Sequence, residues 1–106
     1  MQKDGVPRAR PPWLLVSSHG LILVYVATHP EETIKAISEA LGLTQRRVVA
    51  VVKELAESGL IRVERRGRRN SYRLEEDARF IHPTMTHIKV ADFIRIMEGT
   101  KTPPAV

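Results

Sequence analysis

Six arginines fall between Arg62 and Arg73, and Glu64 is the one acid among them. That stretch carries a net +5, equal to the formal charge of the whole 106-residue chain. A guanidinium is always charged, and its fork of N–H donors matches phosphate or carboxylate oxygens two at a time. Groups packed this densely repel one another unless an anion lies close by. A phosphate backbone fits that need, and so does the negative potential of a narrow minor groove. Charge of this kind also serves merely to protect an exposed hairpin edge from pairing with another chain.

A second basic cluster, Gln45-Arg46-Arg47, opens a stretch of helical periodicity. Arg can bond guanine bidentately, and Gln can do the same for adenine. At about 100° per residue, Arg46, Ala50, Lys53 and Glu57 share one face, with Arg47 to one side. Ala50 keeps the approach to that face short. Two arginines on a helix would by themselves read as solvated surface. The surrounding elements make them more than that.

Those elements begin at Thr33, whose hydroxyl suits a helix N-cap. Ile34, Ile37 and Leu41 then follow on one helical face. Gly42 sits where a left-handed residue closes a helix at little cost. Leu43 plugs the corner and Thr44 caps a second helix. Val48, Val52 and Leu55 form its buried stripe, with Val49 and Ala56 on the flanks, and Ser58-Gly59 ends it. Next, Ile61 and Val63 alternate with Arg62 and Glu64, and Tyr72 and Leu74 alternate with Ser71 and Arg73. This is the pattern of two half-buried strands. The turn falls within Arg65–Asn70, where Gly67 and Asn70 tolerate positive φ.

The rest of the chain flanks this core. Residues 1–12 read as a flexible basic arm with Lys3, Arg8 and Arg10. Trp13-Leu14-Leu15-Val16 is an abrupt apolar block that needs burial. Ser17 or Ser18 can cap a helix starting near His19 and ending at Thr28-His29-Pro30. Its core, LILVYVA, is too short for periodicity to separate helix from strand. Helix is expected, because the pair behind it needs a packing partner. Glu31 and Glu32 precede the next helix, where its dipole favours acids. Glu75-Glu76-Asp77 reads as an acidic linker and Phe80-Ile81 as a small apolar patch. A final helix is expected from His82-Pro83 to about Glu98. It has one stripe of Val90, Phe93, Ile94 and Met97, and a second of Met85, Ile88 and Ile96. One small domain cannot cover both, so a partner helix is expected on one of them. A second copy of the chain is the simplest partner.

Composition bounds the classes. Hydrophobic residues are 42% and charged residues 27%, ordinary for one small globular domain. There are no cysteines, so neither a disulfide framework nor a thiolate metal site. His19, His29, His82 and His87 show no ligand spacing, and no metal or cofactor is expected. No clustered carboxylates, glycine-rich phosphate loop or Ser/His/Asp spacing suggests an enzyme. Leu21–Ala27 is far too short to span a membrane, no signal peptide is apparent, and the cytoplasm is the expected location.

Residues 18–75 resemble the winged helix-turn-helix domain of small bacterial transcriptional regulators of the MarR and ArsR kind. The segments that carry the resemblance are SSHGLILVYVATHP, TIKAISEALGLTQRRVVAVVKELAESGLI and RVERRGRRNSYRL. The wing followed by FIHPTMTHIKVADFIRIM also resembles short actinobacterial-type members of that group. The resemblance implies a mainly α fold with a small β-hairpin, and a homodimeric regulator of double-stranded DNA. Its domain would span 13–75, its linker and dimerisation helix 76–99, and its tail 100–106. Its recognition helix would be Gln45–Ser58 and its wing tip Arg65–Asn70. The expected DNA contacts are Thr44, Gln45, Arg46, Arg47, Ala50, Lys53, Arg65, Arg66, Arg68, Arg69, Asn70 and Arg73. The expected dimer contacts are Trp13, Leu14, Met85, Ile88, Val90, Phe93, Ile94 and Met97. Two recognition helices would enter successive major grooves about 34–36 Å apart. The sequence names no small-molecule effector. The rival reading is a docking module, since winged helices also assemble proteins without touching DNA.

Overall fold

The computed structural model describes residues 15–67 and 69–99. Four helices and one hairpin follow in order: α1 (Ser18–Thr28), α2 (Ile34–Leu41), α3 (Gln45–Glu57), β1 (Ile61–Arg66), β2 (Arg69–Leu74) and α4 (Val90–Gly99). This is a winged helix, as the sequence implied. Trp13, Leu14, Arg68, the arm at 1–12 and the tail at 100–106 lie outside the described residues.

The ambiguous LILVYVA run is helical. Ser17 caps it by accepting from the Gly20 amide at 3.3 Å. Ile22, Leu23 and Val26 point into the core, and Leu21, Val24 and Tyr25 lie half-buried elsewhere on the helix.

The helix pair behind it is set by local chemistry. Thr33 Oγ1 accepts from the Ala36 amide at 3.0 Å, and Thr44 Oγ1 does the same for Arg47. Gly42, at φ +69°, turns the chain between them. A side chain there would be strained, and only glycine adopts that conformation freely. The amides of Gly42 and Leu43 both return to the Ser38 carbonyl.

The core sits where α1, α2 and α3 meet. Ile22, Val26, Ile37, Val48 and Val51 are fully buried there, closed by Leu55, Ile61 and Tyr72. Val51 joins Val48, Val52 and Leu55 in the buried stripe of α3, a position beyond the expected stripe. Val49, read as a flank, is 52% exposed.

The hairpin is antiparallel, in register from Ile61↔Leu74 to Arg66↔Arg69. The turn is therefore tighter than Arg65–Asn70: only Gly67 and Arg68 lie between the strands. Gly67 takes φ +62°, as a two-residue loop requires. A single backbone bond ties β2 to the α1–α2 connection, from the Tyr72 amide to the Pro30 carbonyl at 2.8 Å.

The final helix starts later than expected. Pro83–Met85 forms one 3-10 turn, capped by His82, and α4 begins only at Val90. The intervening carbonyls are otherwise engaged. Arg79 bonds those of Thr86 and His87, and the Ile88 amide takes that of Met85. An antiparallel bridge, Arg79↔Lys89, closes the loop. The expected second stripe therefore dissolves. Met85 and Ile88 are not on α4, and Ile96 stands alone at 67% exposed. Val90 and Ile94 also correct the expected dimer face, because they are 2% and 3% exposed in this subunit's own core. Phe93 packs edge-to-face on Phe80, with ring centroids 5.6 Å apart.

The linker acids are paired with bases: Glu75 with Arg62, Glu76 with Arg95, and Asp77 with Lys89. Among the described residues no helix is long and apolar enough to cross a membrane.

The burial pattern makes a direct prediction. Ile37→Ala should lower the unfolding free energy by about 2–5 kcal/mol. Val49→Ala, beside the buried stripe but half in solvent, should change it by no more than about 0.5 kcal/mol. Urea titration of both variants against the parent checks the contrast. Equal losses would mean that α3 is rotated from the orientation described.

Candidate nucleic-acid interface

The outer face of α3 carries Gln45, Arg46, Arg47, Val49, Ala50, Lys53, Glu54 and Glu57, all exposed. Their exposure follows from the buried stripe: when Val48, Val51, Val52 and Leu55 face inward, these residues must face out. Thr44, the cap, is also exposed and fixes where the first turn begins.

The face has two edges. On the α1 edge, Arg47 donates to Ser18 Oγ at 2.8 Å, and Glu54 meets His19 Nε2 at 2.6 Å. These two contacts tether α3 to the first turn of α1, and nothing in the spacing of the residues announces them. In the middle of the face, Gln45, Arg46 and Lys53 make no side-chain hydrogen bond or ion pair to any described residue. Their donors are free for an external acceptor.

The other edge faces the wing. Strand alternation puts Ile61, Val63, Tyr72 and Leu74 on the core side, and Arg65 and Asn70 continue that side beyond the core. Arg65 and Asn70 thus border a cleft of about 490 Å³ opposite Lys53 and Glu57. Its floor is apolar and includes Ile34, Val49 and Val63.

The other arginines of the hairpin take the opposite side. Register places Arg62 across from Arg73, and Arg66 across from Arg69. Like charges directly opposed are unfavourable, and the fold relieves them. Arg62 clamps the Glu75 carboxylate through Nε and Nη2 at 3.0–3.3 Å. Arg69 donates to the Glu31 carbonyl at 3.2 Å, and Arg66 reaches Glu64 at 3.4 Å. Arg73 lies at the wing's base, in a recess with Glu76 and Arg95. The sequence reading grouped Arg65, Arg66, Arg69, Asn70 and Arg73 as one surface. The structure brings Arg65 and Asn70 to α3, puts Arg66 and Arg69 on the wing's back near the tip, and sets Arg73 apart toward α4. Arg68, at the turn, lies outside the described residues.

Two of the histidines have local partners. His29 stacks on Tyr25 at 4.1 Å between centroids, and His82 caps the 3-10 turn.

A helix with an exposed face and free donors on it, beside a basic hairpin, suits a duplex groove and its flanking phosphates. Residues 15–69, just over half the chain, match the sequence profile of the MarR family. The chain belongs to the MarR family. Its members are transcription regulators, and the matched domain is of their DNA-binding type. The match runs through α1, α2, α3 and β1 and ends at the first residue of β2, so α4 stands outside it. No curated protein matches the chain.

The caps that hold this MarR-type helix in place can be tested. Thr44→Ala removes the acceptor for the Arg47 amide and should cost about 1 kcal/mol of stability. Thermal melting followed by circular dichroism reads that loss. An unchanged midpoint would mean the cap is not what fixes the start of α3.

Proposed function

We propose that this MarR-family protein is a homodimeric regulator that binds a specific sequence of double-stranded DNA. The observation that supports it most is the set of free donors on the outer face of α3. Gln45 and Arg46 stand in the first turn, where a recognition helix meets base edges. In this reading Arg46 and Gln45 read bases, and Lys53 holds a phosphate, with Arg47 beside it. Arg65 and Asn70 flank the groove, Arg66 and Arg68 reach the adjacent backbone or minor groove, and Arg69 is braced by Glu31. Residues 13–75 serve as the DNA-binding unit. Residues 76–99 join it to a second copy.

The dimer face is narrower than the sequence reading had it. Val90 and Ile94 already have their place in the core. Met97 shares an apolar groove with Val24, Tyr25 and Leu41, and Leu15 at the head of α1 is 91% exposed. We place the second copy along this α1–α4 face, with Phe93, Met97, Met85, Ile88 and the preceding Trp13-Leu14 contributing. Replacing Met97 with Glu should then convert the dimer to monomer in sedimentation equilibrium. A parent that is monomeric at micromolar concentration would defeat the dimer.

The division of roles on DNA is tested by titrating duplex from upstream of the protein's own gene against a scrambled duplex, across a salt series. Arg46→Ala should weaken the specific site by about 1–3 kcal/mol and relax selectivity. Arg66→Ala should weaken all sequences alike and reduce the salt slope by about one. Loss of both effects together on specific and random DNA would overturn the assignment. Retention of neither duplex at low salt would favour a protein-docking role for the fold.

A further inference from the structure

One exposed side chain on α3 does not fit a purely electrostatic face. The helix has four valines, and three of them are 0–7% exposed. Val49 is 52% exposed, and every other exposed residue of α3 is polar or alanine. It sits one turn after Gln45, one turn before Lys53, and next to Ala50. It also lies on the wing side, on the floor of the cleft that Lys53 and Arg65 border. Val49 and Ala50 are both short, so no long side chain at this level holds the helix away from a surface it meets. Gln45 and Arg46 before them, and Lys53 after, supply long donors on either side.

We propose that Val49 determines specificity by packing on the 5-methyl group of a thymine in each half-site. This rests on the DNA-binding reading above and deepens it. The major-groove edges of the four bases are donors and acceptors, save for one apolar group, the thymine methyl. A valine pressed against any other base edge covers a polar atom without bonding it, which is costly. Against thymine it buries apolar surface on both partners instead. The neighbouring donors fix the register, and Val49 rejects the wrong pyrimidine.

The experiment uses the full chain and the duplex it enriches from a random pool. Each thymine is replaced in turn by uracil, which lacks only the methyl and pairs identically. One position in each half-site should lose about fourfold in affinity for uracil over thymine, the worth of one buried methyl. Val49→Ala should bind thymine and uracil duplexes alike at that position. If specific binding is found but no thymine is sensitive, or the sensitivity survives in Val49→Ala, the inference is overturned and the DNA-binding reading stands. If no duplex is enriched, both fall.

Discussion

The inward packing of α3 is the constraint on which the rest of the molecule depends. Val48, Val51, Val52 and Leu55 lie on one side of a single helix, and α1 and α2 close over them with Ile22, Val26 and Ile37. A small domain has little other apolar surface to bury. Once that side is fixed, the opposite side has no freedom. Arg46, Ala50 and Lys53 are presented outward as a consequence of core packing, and the wing completes the presentation because Ile61 and Tyr72 anchor it to the same core. The proposed binding surface is therefore the reverse face of the hydrophobic core, and a change to one rotates or loosens the other.

Charge in this protein is arranged in two ways. Near the base of the hairpin and along the linker it is neutralised internally, by Arg62 with Glu75, Arg95 with Glu76 and Lys89 with Asp77. Exposed pairs of this sort add little stability, but they remove these groups from competition for an external anion. On α3 the donors of Gln45, Arg46 and Lys53 have no such partner among the described residues. The dense arginine run seen in the sequence is thus structurally heterogeneous, and only some of its members face α3.

Much of the fold was legible because its signals are local. Thr33, Gly42 and Thr44 act within four residues of themselves, so their types and spacing alone locate the helix-turn-helix. The alternation in the hairpin is equally local. What was not legible depends on distant partners. The start of α4 is set by Arg79 capturing carbonyls seven and eight residues on, and no helix propensity reveals that. The tethers from Ser18 and His19 to α3 span 29 and 35 residues. The exposure of Val49 and burial of Val51 turn on the exact rotation of α3, and the spacing of Val48, Val51, Val52 and Leu55 held that information. At the candidate site, the residue types on α3 were readable, whereas the sidedness of the wing arginines needed the strand register.

The loop between Phe80 and Ile88 has one further consequence. Its two ends are pinned together by the Arg79↔Lys89 bridge and by the Phe80 and Val90 amides. Lengthening a loop whose ends are already held adds little entropy cost, about 0.6 kcal/mol per doubling. Ile81 to His87 are exposed, and none of them belongs to the core. Among the described residues this loop, Met85 apart, is accordingly a segment that tolerates change in length and sequence. New residues inserted there would leave α4, the core and α3 in register, so the fold can acquire an additional surface at that point without rebuilding the rest.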